Sequence, residues 1–75
     1  SGTIPYLYDP LTKSNVIPPR QPSVYLIALD DNFIHDFEYV QDSIILDPWR
    51  CFNYNEVHEL TKRNILYVPI GRKSE

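Results

Sequence analysis

Hydrophobic residues along the chain gather in short runs that are separated by polar segments. The longest run, Val24 to Leu29, has six apolar residues in succession, which is typical of a strand covered on both faces. A second run, Ser43 to Leu46, lies between Asp42 and Asp47 and is too short for a buried helix. These two runs predict two inner β-strands.

Two further strands are predicted nearer the ends of the chain. Ile4 to Tyr8 mixes β-branched and aromatic residues around Pro5, which is typical of a short edge strand. Ile65 to Ile70 predicts a last strand that Gly71 closes. The segment from Leu11 to Ser23 is polar and rich in proline, which blocks both helix and central strand, so it is expected to be a loop.

Two helices are predicted between these strands. A short helix is expected over the apolar positions from Phe33 to Phe37, because three N-cap residues precede it: Asp30, Asp31 and Asn32. Asn53 followed by Glu56 resembles a capping box and predicts the start of a longer helix. Asn64 is suited to end that helix in a left-handed conformation.

The alternation of strands and helices predicts one small α/β domain over residues 1–75, with a parallel sheet of about four strands and short helices. Ligands of open parallel sheets bind beyond the carboxyl ends of the strands. We therefore expect Asp30, Arg50 and Gly71 to lie on a common rim.

Length and charge restrict the classes of function. A chain of 75 residues buries one thin core with little room for a catalytic cavity, and its net charge of -3 argues against nucleic-acid binding. No apolar stretch approaches the roughly 18 residues of a membrane span, so we expect no membrane partner. The single Cys51 fits a reducing cytoplasm. Because the chain contains no Met and opens with Ser1-Gly2, we expect a fragment of a longer protein.

The densest group of chemically able side chains follows the second inner run and contains Asp47, Trp49, Arg50 and Cys51. Arg50 offers a permanently charged fork for phosphate, and Trp49 offers a flat face for a base or sugar. Alternatively, Trp49 fills the end of the core and Arg50 pairs with Asp47 or Asp30. Both interpretations are open from the residues alone.

Other candidate chemistry is sparse. His35 and His58 have no partner at metal or catalytic spacing, and Cys51 is typical of a small buried residue rather than a nucleophile. With only Gly2 and Gly71, the chain has no glycine-rich phosphate loop. We therefore predict no catalytic residue and no metal ligand.

Four segments in order resemble the C-terminal, UDP-binding domain of the UDP-glucose/GDP-mannose dehydrogenase family: IPYLYDPL (4–11), VYLIALDDNFIHDF (24–37), IILDPWRCF (44–52) and ILYVPIGR (65–72). The resemblance implies a Rossmann-like domain that closes over a UDP-sugar, with Asp47, Trp49 and Arg50 as the substrate-binding residues. In the commoner form of the family motif the arginine sits one place earlier, where this chain has Trp49.

The resemblance also implies the partners. The parent enzyme would be an NAD-dependent nucleotide-sugar 6-dehydrogenase, with NAD bound by an N-terminal domain and the catalytic cysteine in a central domain. This chain would bind no cofactor and would have no turnover alone, and the sequence leaves open whether it forms a homo-oligomer. Cys51 does not inherit the catalytic role.

A second hypothesis is a non-enzymatic interaction or assembly module with the same α/β skeleton. Six Tyr, three Phe and one Trp exceed what a small core easily buries. Exposed aromatic residues are favoured at protein interfaces. Self-association without a response to nucleotide would distinguish this module from the dehydrogenase fragment.

Overall fold

The computed structural model describes residues 7–11 and 19–70, and the strands in this part all run in one direction. They lie side by side in chain order, as β1 (Leu7–Tyr8), β2 (Val24–Leu26), β3 (Ile44–Leu46) and β4 (Leu66–Val68). Two helices join the last three strands, α1 (Asn32–Asp36) and α2 (Tyr54–Lys62). The predictions of an α/β fold and of parallel strands are confirmed.

The elements are shorter than the apolar runs that predicted them. Strand β2 ends at Leu26, and Ile27 then continues the pairing by donating its amide hydrogen to the Leu46 carbonyl at 2.9 Å. The predicted first strand began at Ile4, but only Leu7 and Tyr8 fall within the described residues, as β1 at the sheet edge. Part of the predicted loop, residues 12–18, and Gly71 lie outside the described residues.

One face of the sheet carries the core. The register aligns Tyr25, Ile45 and Tyr67 across the three longer strands, and Tyr8 of β1 pairs beside Tyr25. These residues pack with side chains from the two helices and from the segment after α1, namely Ile34, Leu60 and Tyr39. The rings of Tyr25 and Tyr39 meet edge to face with centroids 4.9 Å apart. We call this the tyrosine face.

The opposite face is aliphatic and partly buried. It consists of two rows across β2, β3 and β4, the first Val24, Ile44 and Leu66, the second Leu26, Leu46 and Val68. None of the six is fully buried, and Leu66 is 59% exposed. We call this the aliphatic face.

The prediction that β2 is covered on both faces is shown for one face only, because Val24 and Leu26 on the other face are partly buried. A parallel sheet in chain order with right-handed crossovers places every connecting helix on the same face. Both described helices contribute side chains to the core on the tyrosine face, Ile34 from α1 and Leu60 from α2. Within residues 19–70, no described helix packs its side chains on the aliphatic face.

Local signals at the helix ends are confirmed. Asn53 caps α2 by accepting the Glu56 amide, and the Glu56 carboxylate accepts the Asn53 amide in return, each at 2.8 Å. Asn64 has φ 59°, the left-handed conformation predicted for the helix end. Asp31 caps α1 by accepting from the Phe33 amide. Neither described helix is long and apolar enough to cross a membrane.

Candidate functional site

The carboxyl ends of the parallel strands form one rim of the sheet, and acidic residues follow three of them. Asp9 follows β1, Asp30 lies beyond β2, and Asp47 follows β3. The structure places ligand atoms of Asp30 and Cys51 within 4.8 Å of each other, so the segments after β2 and β3 meet here. Gly71, the third residue expected on this rim, lies outside the described residues.

Asp47 organises the turn that follows β3. Its side chain is fully buried and accepts hydrogen bonds from the Trp49 amide at 3.0 Å and the Cys51 amide at 2.8 Å. The Tyr67 hydroxyl of β4 donates to the same carboxylate at 2.6 Å. Burial and this hydrogen bond raise the pKa of Tyr67 above its usual value. Since the carboxylate is enclosed, its role in this structure is to hold the turn.

Trp49 is held at the rim with its ring half-exposed. Its indole nitrogen donates to the Ala28 carbonyl at 3.0 Å, which ties the segment after β3 to the segment after β2. The residue is 55% exposed, so the ring does not fill the end of the core as the alternative interpretation required. A fixed and half-exposed indole is suited to stacking on a flat ligand.

Arg50 is exposed at the same turn and has φ 53°, in the left-handed region that non-glycine residues seldom occupy. Its amide donates to the Asp47 carbonyl at 3.4 Å, which closes the turn. Such a conformation costs of order 1–3 kcal/mol and is typical of functional sites and tight turns.

His35 has partners that sequence reasoning missed. Its Nδ1 lies 2.5 Å from the Glu56 carboxylate, and its Nε2 lies 3.7 Å from Asp30 Oδ1. Burial lowers the pKa of His35, but the hydrogen bond and charge of Glu56, helped by Asp30, raise it above 6.5 overall. The sequence shows no partner for His35 at metal or catalytic spacing, since Glu56 is 21 residues away along the chain. The only sequence signal for Glu56 was its place in the capping box of α2.

Cys51 completes this part of the rim. Its thiol donates towards the two oxygens of Asp47, with sulfur-to-oxygen distances of 3.6 and 3.5 Å. Burial, together with the charges of Asp47 and Asp30, raises the pKa of Cys51 to about 12. A thiol in this setting stays protonated at neutral pH.

A shallow cleft of 270 Å³ lies beside this group, between α1 and α2. His35, Glu56 and Phe52 line it, whereas Trp49 and Arg50 do not. The ring of Phe52 packs on His35 with centroids 5.2 Å apart and so fixes the imidazole from a second side.

No protein-family model, curated protein or solved structure gives a significant match to the chain. Its function therefore has to be inferred from the rim and the two faces of the sheet.

We expect Asp47→Ala to lower the free energy of unfolding by at least about 3 kcal/mol, because the Trp49 and Cys51 amides and the Tyr67 hydroxyl each lose a charged acceptor. The matched control, Asp36→Ala, removes an exposed carboxylate and should change stability by less than about 0.5 kcal/mol. Urea unfolding followed by circular dichroism measures both. Equal stability of the two variants would contradict the role assigned to Asp47.

Proposed function

We propose that the chain is the nucleotide-sugar-binding C-terminal part of an NAD-dependent dehydrogenase, with a small Rossmann-like fold and a binding site at the rim formed by Trp49 and Arg50. One observation carries this proposal. In the described residues, the motifs that resemble the UDP-binding domain of the UDP-glucose/GDP-mannose dehydrogenases reach the carboxyl ends of the adjacent parallel strands β1, β2 and β3, where open α/β sheets bind ligands.

The rim offers chemistry that suits such a ligand. The half-exposed indole of Trp49, fixed by Ala28, can stack on uracil or sugar. Arg50, the next residue of the chain, is exposed and carries a planar guanidinium, which suits a diphosphate. The Asp47 carboxylate is buried, and it holds the turn that carries both residues by accepting the Trp49 amide. This assigns Asp47 a positioning role in the site.

The proposal leaves NAD to another domain of the parent enzyme. Dinucleotide folds place the pyrophosphate at a glycine-rich turn between a strand and a helix N-terminus. The corresponding turn between β2 and α1, residues 27–31, contains no glycine. The residues of this turn therefore do not fit NAD. We place the enzyme in the cytoplasm, with the UDP-sugar and the NAD-binding and central domains as partners.

Titration with UDP and UDP-glucose, followed by amide NMR, tests the proposal. We expect chemical-shift changes over residues 47–52 at millimolar ligand, because half of a shared site leaves much of the ligand in water. Arg50→Gln should weaken binding by about tenfold or more, since it removes a charge-assisted hydrogen bond to phosphate.

Arg20→Gln is the control for that titration. Arg20 is also exposed, but it precedes β2 and so lies towards the opposite, amino end of the sheet. Its removal should leave the shift changes unaltered. Absence of shifts at residues 47–52 at millimolar ligand, or equal losses in the two variants, would contradict a site at this rim.

The aliphatic face supports a second candidate function, an assembly module that binds a second copy of the chain. The six side chains of this face are Val, Leu or Ile and carry no charge. Two copies can therefore pack face to face without burying an unpaired charge, and such a contact is self-complementary. Parallel sheets are normally covered on both faces, which this packing would achieve.

Sedimentation equilibrium over a range of concentrations tests this assembly. If the aliphatic face mediates it, Leu66→Lys should abolish association, because each copy would then bury a lysine. Tyr54→Lys is the control. Tyr54 is 83% exposed on α2, so this substitution adds the same charge away from the aliphatic face. A monomer at every concentration, or equal association of the two variants, would count against the module.

A further inference from the structure

We propose that Asp30, His35 and Cys51 form a zinc-binding site at the carboxyl rim of the sheet. Each residue offers one ligand atom, and the three atoms lie within 4.8 Å of one another. A carboxylate, an imidazole and a thiol are the three side-chain types that bind Zn²⁺ in proteins. Neighbouring ligands of a tetrahedral zinc lie about 3.3–3.8 Å apart at the usual bond lengths. Asp30 Oδ1 and His35 Nε2 are 3.7 Å apart, so a small movement of the exposed Asp30 side chain brings them to the separation of zinc ligands.

The imidazole of His35 is oriented for a metal. Glu56 accepts from Nδ1–H through Oε2, while its Oε1 accepts the Asn53 amide in the capping box of α2. With Nδ1 carrying the hydrogen, Nε2 of the neutral ring is the ligand atom, and it lies on the side of Asp30 and Cys51. A carboxylate on the second ring nitrogen is the usual support of metal-binding histidines. The helix cap thus fixes Glu56, and Glu56 fixes His35.

The local charge favours a cation. Carboxylates of Asp30, Asp47 and Glu56 surround His35 and Cys51, so a divalent ion reduces repulsion among them. On binding, zinc forms a bond to the Cys51 sulfur, and the thiol proton leaves to solvent. Asp47 loses the thiol as a donor but keeps the Trp49 and Cys51 amides and the Tyr67 hydroxyl.

The site has an open position. Three protein ligands leave the fourth place of a tetrahedral zinc for water, and the Asp30 side chain is 62% exposed, so solvent reaches it. The ligands come from three separate segments, after β2, in α1 and after β3. A bound zinc would therefore join the segments that form the rim.

Titration of the full chain with Zn²⁺, and with Co²⁺ as a spectroscopic probe, tests the site in the absence of nucleotide. We expect one metal ion per chain and a thiolate-to-cobalt charge-transfer band in the near-ultraviolet. Cys51→Ser should remove that band, and His35→Gln and Asp30→Asn should each weaken zinc binding at least tenfold. Glu56→Gln, which leaves all three ligands in place, should weaken it by about 10–100-fold.

His58→Gln is the matched control, because His58 is the other histidine of the chain and lies exposed on α2 beside Tyr54. It should bind zinc as the parent chain does. Circular dichroism of each metal-free variant shows whether it folds. Absence of the charge-transfer band in the parent chain would overturn the proposal. The proposal would also be overturned if the folded variants His35→Gln and His58→Gln bound zinc with equal affinity.

Discussion

The parallel pairing of three short strands in chain order is the constraint on which the rest of the structure depends. The ladder includes hydrogen bonds from the Ile44 amide to the Ser23 carbonyl at 3.0 Å and from the Leu66 amide to the Ser43 carbonyl at 2.9 Å. Parallel neighbours cannot be joined by a tight turn, so each connection has to cross the sheet. Because the strands lie in chain order, right-handed connections between them cross the same face of the sheet. The carboxyl ends consequently share one rim, and the aliphatic face is left only partly buried.

The features that sequence predicts well are those set by neighbouring residues. The capping box of Asn53 and Glu56 and the left-handed Asn64 depend on contacts within one helix end, and both occur as expected. The order of strands and helices follows from apolar runs separated by breakers, and the α/β fold is confirmed. Strand ends were less predictable, because an apolar residue such as Ile27 serves equally well inside a strand or just after it.

The features that sequence does not predict depend on distant residues. Asp47 belongs to a strand-end motif, yet its burial depends on Tyr67, which reaches it from the neighbouring strand. His35 meets Glu56 only because α1 and α2 pack on the same face. Exposure of the aliphatic face is also a tertiary property, since it depends on where the connections cross. These three facts determine the chemistry of the rim, which explains why the fold was easier to predict than the site.

The rim combines two kinds of chemistry over a short distance. Trp49 and Arg50 present a flat ring and a cation, whereas Cys51, the next residue of the same turn, lies with Asp30 and His35 in a group of possible metal ligands. Asp47 links the two groups, because it holds the Trp49 amide on one side and the Cys51 amide and thiol on the other. A ligand at one group and a metal at the other would therefore act on the same buried carboxylate.

Scalar couplings across hydrogen bonds, measured by NMR on the isotopically labelled chain, test the parallel pairing most directly. The structure predicts couplings from the Leu66 amide to the Ser43 carbonyl and from the Asp47 amide to the Val68 carbonyl. Both bonds join β3 to β4 in the parallel register. Couplings that pair these strands in the antiparallel sense would contradict the shared rim and every function assigned to it.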